Sequence, residues 1–244
     1  MTDFIAYPLP NISEPVSSLS HLIGGAFFAF LSPFLLRNSR GHPGRLFCLS
    51  VFAFSTVLLL SVSGVYHLLY KGGGAREVLL RLDHAAIFVL IAGTFTPVYG
   101  ILFRGPGRWM PLLFVWSVAA AGVIFRTFFF DGFPELLSVS MYLGLGWFGV
   151  VAGGVLWRRY GAVFVLPLLY GGLAYSVGAL LEFLRIPTLI AGIVGPHELF
   201  HVFVLLGAGC HWWFVFHIAD GVLPRRVRRA AARRSTDKAI ITKA

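Results

Sequence analysis

Residues 197–218 read HELFHVFVLLGAGCHWWFVFHI, an apolar run that opens with two histidines four positions apart. A run of about 20 apolar residues is long enough to cross the hydrocarbon core of a bilayer as an α-helix. In a helix, residues four apart lie on one face, about one turn from each other. Two imidazoles placed in this way can bind one metal ion, and zinc is the usual occupant of such sites. We therefore predict that His197 and His201 belong to a zinc site at the start of a membrane-spanning helix.

The composition of the whole chain extends this interpretation. Of its 244 residues 57% are hydrophobic and only 12% are charged, whereas about 25% of a soluble domain is charged. The apolar runs are long and continuous rather than short and alternating, which favours helices over a β-barrel. We predict an all-α integral membrane protein with seven transmembrane helices. The predicted spans are residues 19–36, 46–70, 82–103, 109–130, 136–157, 162–183 and 197–218.

The charged residues predict how these spans are oriented. Residues 1–18 form a predicted N-terminal segment on one face of the membrane, side A, and seven spans put the predicted basic tail, residues 219–244, on the opposite face, side B. Side B then holds 15 of the 20 lysines and arginines, and side A holds eight of the ten acidic residues. The positive-inside rule makes side B cytoplasmic in a plasma or inner membrane.

The net charge of +10 is explained by this asymmetry and by contact of the tail with anionic lipid headgroups, so we expect no nucleic-acid partner. Residues 1–18 lack the basic start of a secretory signal and are expected to remain on the mature protein. Cys48 and Cys210 both lie inside apolar runs, where core packing is expected rather than a disulfide.

Polar side chains from three distant spans are predicted to meet at side A. Ser63 and His67 lie near the end of the second span, Asp83 opens the third, and His197 and His201 open the seventh. All these positions fall at a similar depth because the second span ends on the side where the third and seventh begin. His67, His197 and His201 provide three nitrogen ligands and leave a fourth position for water, as in catalytic zinc sites. Polar groups at this depth in a membrane protein indicate function.

The same residues suggest a hydrolytic reaction. Asp83 is predicted to accept a proton from water as general base, or to hold that water by a hydrogen bond. Ser63 is predicted to orient a ligand or to donate to a developing oxyanion. Glu14 and His21 could support the site or could lie among headgroups, and Glu182 is expected to be interfacial.

Three histidines are expected to be structural. They are His84, His211 and His217.

A competing interpretation starts from the same five residues. HELFH matches the H-E-x-x-H pattern of zinc metalloproteases, in which Glu198 would be the general base. If the chain were an intramembrane protease of this kind, Ser63, His67 and Asp83 would have no role.

The ordered motifs along the chain resemble the hemolysin III family, the bacterial branch of the progestin and adipoQ receptor superfamily. The resemblance covers residues 14–218. Its motifs are Glu14 through His21, Ser63-x-x-x-His67, Leu82-Asp83-His84-Ala-Ala-Ile87, Ala92-Gly-Thr-Phe-Thr-Pro97, Tyr142-Leu-Gly-Leu-Gly-Trp147, Gly171-Gly-Leu-Ala-Tyr175, and His197-Glu-Leu-Phe-His201 continuing to Cys210-His211. Ser17 stands where the family usually has an asparagine.

This resemblance implies a seven-helix fold with a zinc ion near one membrane surface, bound by His67, His197 and His201, with Asp83 beside the water. It also implies a distant relationship to alkaline ceramidases, and hence a hydrolase of a lipid amide or ester whose substrate is a membrane lipid. The family name implies haemolytic or pore-forming activity, and the eukaryotic relatives are receptors. In those receptors the N-terminus and the zinc face the cytoplasm, whereas the charges of this chain place side A outside.

Overall fold

The computed structural model describes residues 12–39, 41–132 and 135–222. Within these ranges the chain is helical and has no strand, apart from an isolated bridge between Ile190 and Val194. Seven of its segments are long and apolar enough to cross a membrane, which confirms the predicted all-α, seven-span architecture. The helices are α1 (Pro15–Arg37), α2 (Pro43–Leu68), α3 (Gly74–Leu102), α4 (Pro106–Phe128), α5 (Glu135–Trp147), α6 (Gly149–Tyr160), α7 (Ala162–Leu184) and α8 (Pro196–Ile218).

Proline marks the first turn of four of these helices. Pro15, Pro43, Pro106 and Pro196 begin α1, α2, α4 and α8. The ring fixes φ near its helical value, and the missing N–H is one that would have no partner inside the helix. The local sequence therefore determines where these helices start. The start of a helix in turn sets the depth of the side chains in its first turn.

The outer surface of the bundle is apolar. Large side chains such as Phe30, Phe47 and Val163 are 66%, 66% and 82% exposed. In water, a continuous apolar surface of this size would drive association, whereas lipid chains cover it at no such cost. The exposure pattern and the seven long helices together describe a multi-pass membrane protein.

Helices α1, α2 and α8 pack together between the predicted site and side B. The Trp212 ring of α8 lies 4.9 Å from Phe28 of α1 and 5.3 Å from Phe52 of α2, measured between ring centroids. Nearer to side A, the Ser18 hydroxyl of α1 donates to the Gly64 carbonyl of α2 at 2.8 Å. This packing holds α1 against both α2 and α8, which fixes the positions of the side-A ends of all three helices.

One predicted helix start is wrong. The third span was expected to begin at residue 82, but α3 begins at Gly74, so Asp83 lies in its third turn rather than at its opening. The charged residues at 76, 77 and 81 lower the hydropathy of this part, although the helix continues through it. The predicted fifth span is confirmed as one candidate span, Leu136–Tyr160, in which a single turn residue, Phe148, separates α5 from α6.

Most of the six glycines that lie in pairs within α5, α6 and α7 do not bring helices close together. A Cβ added at Gly144, Gly146, Gly153, Gly154 or Gly172 would meet no atom within 4 Å, whereas one at Gly171 would lie 2.5 Å from the His211 ring. The close approaches occur elsewhere, for example at Gly93, where a Cβ would lie 2.0 Å from the Ser55 hydroxyl. Small residues permit close packing on any face, and sequence alone does not say which face meets a neighbour.

The two cysteines are free thiols, as expected. The predicted basic tail lies almost entirely outside the described residues, as does most of the predicted N-terminal segment.

Candidate metal centre

The predicted histidines meet at side A. His67 lies in the last turn of α2, and His197 and His201 lie in the first two turns of α8. The Nε2 atom of His197 is 3.3 Å from Nε2 of His67 and 3.1 Å from Nε2 of His201. One nitrogen from each ring can be chosen so that all three lie within 4.8 Å of one another, an arrangement that could hold a metal ion.

These distances fit the dimensions of a tetrahedral site. Two nitrogens bound at about 2.05 Å in tetrahedral geometry lie about 3.3 Å apart. Both of the Nε2 separations given above are close to that value. Neutral imidazole is a common zinc ligand, so both the spacing and the chemistry of the three side chains suit this metal.

Two carboxylates orient two of the imidazoles. The Nδ1 atom of His67 is hydrogen-bonded to Glu14, and Nδ1 of His197 is hydrogen-bonded to Oε1 of Glu182 at 3.1 Å. A proton on Nδ1 leaves the lone pair of Nε2 free to face a metal. Carboxylate–histidine pairs of this kind fix both the tautomer and the direction of a metal ligand.

Glu182, which was expected to be interfacial, also contacts His197, and the sequence analysis missed this contact. It comes within reach of His197 because α7 ends and α8 begins on the same side, with the connection of residues 185–195 between them. Glu14, for which two roles were left open, proves to be a contact of His67.

Glu14 is itself held by cations. Lys71 and Arg76 each approach its carboxylate to 2.9 Å. Burial alone would raise the pKa of Glu14, but hydrogen bonds with His67, Lys71 and Arg76 outweigh that effect and hold this pKa well below its usual value. Arg76 is only 8% exposed. Glu14 is thus an ionised partner for His67, and the sequence analysis missed Arg76 because it counted this residue only as a topology signal.

His201 is positioned differently. Its ring stacks on that of His21, with centroids 3.8 Å apart and planes inclined by 26°. Neither nitrogen of His21 has a hydrogen-bond partner within the described ranges, and neither does Nδ1 of His201. His21 therefore supports the site through ring packing, and it is not among the three residues whose nitrogens converge.

Asp83 and Ser63 lie next to this cluster. Ser63 is 2% exposed and lies one helical turn before His67. Asp83 lies on α3, close enough to Ser63 and His197 for both to interact with its carboxyl group. The structure thus brings the nitrogens of His67, His197 and His201 together, and the roles predicted for Asp83 and Ser63 stay predictions.

Glu198 is occupied in capping α8. Its Oε2 accepts the Gly195 N–H at 3.0 Å, and its Oε1 accepts the Ser17 hydroxyl at 3.2 Å. The side chain is buried and ties the start of α8 to α1. A metalloprotease requires this glutamate as the base, so the two hydrogen bonds weigh against that interpretation. They also give Ser17 a role as donor.

A buried arginine nearby was also missed. Arg126 of α4 is 5% exposed and stacks over the Phe130 ring at 4.3 Å. Tyr142 of α5 donates to the His84 carbonyl at 3.1 Å, so this cluster joins α3, α4 and α5 beside Asp83. The sequence marked Arg126 only as a side-A charge, because nothing local indicates that its side chain turns inward.

Comparisons with known proteins agree with the family resemblance. Residues 10–212 match the family described as "Haemolysin-III related". "Hemolysin-3" of Bacillus cereus is 31% identical over 217 residues, which cover 88% of this chain and 93% of the relative. "Hemolysin-3 homolog" of Bacillus subtilis (strain 168) is 35% identical over 204 residues, covering 83% and 92%. "Heptahelical transmembrane protein ADIPOR2" of Oryza sativa subsp. japonica is 31% identical over 180 residues, covering 66% and 77%.

Proposed function

The chain belongs to the hemolysin III family, and from that premise we propose that it binds zinc through His67, His197 and His201 and hydrolyses an amide or ester bond of a membrane lipid. The observation that carries this proposal is the convergence of the three histidines, two of them oriented by carboxylates, with Asp83 and Ser63 alongside. A structural zinc site is usually closed by four protein ligands, whereas a catalytic site keeps one position open.

The chemistry follows from the residues around that open position. A zinc ion bound there would supply Lewis acidity, which polarises a carbonyl and makes a water molecule easier to deprotonate. Asp83 would accept the proton from that water as general base and return it to the leaving amine or alcohol as general acid. The Ser63 hydroxyl, which lies close to Asp83, would hold the carboxylate in position or donate to the oxyanion that develops on the substrate.

Access to the site supports a lipid substrate. The His197 side chain is 36% exposed, whereas that of His67 is 3% exposed. The cluster lies at the side-A ends of α2 and α8, so it sits at the depth of the headgroups. An amide or ester bond at the junction of headgroup and acyl chain would reach this depth from within the bilayer, without leaving the membrane.

The substitution Asp83→Asn tests the proposal. We expect the variant to keep its metal and to lose about 10²- to 10⁴-fold in the rate of hydrolysis, the usual contribution of a general base. The measurement is turnover of an N-acyl sphingosine in mixed micelles, with the zinc content of the same sample. Glu77→Gln is the matched control, because Glu77 is exposed on the same helix and the same side. Full turnover in Asp83→Asn would contradict the role of Asp83.

A second candidate function rests on the names of the two Bacillus relatives, "Hemolysin-3" and "Hemolysin-3 homolog". In that case the chain would permeabilise membranes, and zinc would stabilise the fold. Leakage of dye from liposomes that is equal for wild type and Asp83→Asn, with no hydrolysis product from either, would favour this function over the hydrolase.

A further inference from the structure

The side-B surface, opposite the histidine cluster, contains a basic cavity. It has a volume of about 340 Å³ and lies where α2 and α4 begin and α3 and α8 end. Its lining includes Arg45, Arg104, Arg108 and His42 but no acidic residue. An adjoining cavity of about 410 Å³ shares Arg104 and adds Arg159, again without an acidic residue. The three arginines and the histidine of the first cavity are called the arginine pocket below.

Within the part of the chain that the structure describes, no carboxylate neutralises the charges of the arginine pocket. Arg45 donates to the main-chain carbonyl of Asp220, and Nε of Arg108 donates to the Phe103 carbonyl at 2.9 Å. A guanidinium group has five N–H donors, so most of the donors remain for a ligand. On side A, by contrast, the charge of Arg76 is paired with the carboxylate of Glu14.

Two helix N-termini open at the same place. Helix α2 begins with His42 and Pro43, and α4 begins with Gly105 and Pro106, and neither start has a capping side chain. The first N–H groups of a helix have no partner within it, and they favour an anion. Gly44 lines the first cavity and Gly107 the second, and an added Cβ at either would meet nothing within 4 Å. The main chain is therefore open to a ligand here.

We propose that the arginine pocket binds a phosphate group, and that this group belongs to the headgroup of an anionic phospholipid. Guanidinium groups match the oxygens of phosphate in pairs, which explains why arginine rather than lysine lines the cavity. The pocket lies between transmembrane helices at the membrane surface, where headgroups of the surrounding leaflet are present at high local concentration. Free phosphate has the same chemistry and is the other possible source.

The test uses the full-length protein, stripped of lipid in a non-ionic detergent. Native mass spectrometry measures binding of phosphatidate and of phosphatidylcholine, and thermal unfolding is followed with and without inorganic phosphate. The pocket variant is Arg45→Gln/Arg104→Gln. The control is Arg37→Gln/Arg158→Gln, which removes the same charge from exposed side-B residues that line neither cavity. Arg104→Gln alone serves as a second variant, since no side-chain hydrogen bond of this exposed residue would be lost.

We expect phosphatidate to bind the pocket variant about thirtyfold more weakly than wild type, because each of the two arginines contributes about 1 kcal/mol near a membrane surface. The control is expected to bind phosphatidate like wild type, and phosphatidylcholine is expected to bind all forms weakly. A different outcome is that inorganic phosphate stabilises wild type but not the pocket variant, and that wild type shows no preference for phosphatidate. This result would keep the phosphate site and assign it to the free ion. The proposal would be overturned if wild type, pocket variant and control all bound phosphatidate and phosphatidylcholine with equal affinity.

Discussion

At the scale of single residues, the distinctive feature is that two of the three clustered histidines are held by carboxylates from outside their own helices. Glu14 precedes α1, lies 53 positions from His67 in sequence, and is hydrogen-bonded to that ring. Because Lys71 and Arg76 surround the same carboxylate, the orientation of His67 depends on an ion-pair network at the membrane surface. The candidate metal site therefore extends beyond the three histidines.

The substitution Glu14→Gln is expected to weaken zinc binding by about tenfold, since outer partners of metal ligands contribute 10- to 100-fold to affinity. The amide keeps the shape of the side chain but removes the charge that favours a proton on Nδ1 of His67. Competition with a chelator measures the effect, and Glu77→Gln is the matched control. Equal resistance to the chelator in both variants would show that Glu14 does not support the site.

The residues of the site could be predicted from sequence only in part. His67, His197 and His201 were found because the parity of the spans places them on one side. Glu182 was missed because hydropathy shows that it lies near side A but cannot show which ring it contacts. Contacts of this kind are set by rotation of the helices about their axes, and that rotation is decided by packing across the whole bundle.

At the scale of elements, α2 and α3 lie close together because Gly93 has no side chain. A Cβ at this position would lie 2.0 Å from the Ser55 hydroxyl and 2.7 Å from the Ser55 Cβ. A serine side chain is too short to move aside without a shift of the backbone. The contact thus fixes the distance between the helix that carries His67 and the helix that carries Asp83.

Gly93→Ala is expected to destabilise the protein by about 1–3 kcal/mol, the usual cost of overpacking a filled interior. Gly153→Ala is the matched control, because nothing lies within 4 Å of its added methyl group. Alanine favours helix more than glycine does, so the control is expected to be neutral or slightly stabilised. Thermal unfolding in detergent compares the two, and equal midpoints would contradict the packing described here.

The elements themselves were largely predictable. Seven long apolar runs gave seven spans, because a helix is the only open structure that satisfies its own backbone in lipid. The start of α3 at Gly74 was missed, since hydropathy reports the part of a helix that is in lipid and not its full length. The interruption at Phe148 has no such signal either, because the residues on both sides of it are apolar or small.

At the scale of the whole molecule, the two membrane faces differ in chemistry. Side A holds the three histidines and three of the acidic residues that contact or adjoin them, Glu14, Asp83 and Glu182. Side B holds the arginine pocket and most of the basic residues. A polarised molecule of this kind has one favoured orientation in a membrane whose two faces carry different charge.

We expect side B, with the C-terminus, to face the cytoplasm. A reporter fused after residue 244 that is active only in the cytoplasm should then be active, and one that is active only outside should be silent. Fusions that end in the connection after α2, at residue 71, should give the reverse pattern. The opposite result for both positions would contradict the charge-based orientation.

The central claim is that α2 and α8 share one metal, and metal analysis of the purified protein tests it most directly. Wild type is expected to contain about one zinc ion per chain, and both His67→Ala and His201→Ala are expected to lose it. His217→Ala should keep the metal, because His217 is an exposed residue at the other end of α8. Folded wild-type protein without zinc, or zinc lost from His201→Ala but kept in His67→Ala, would contradict the account.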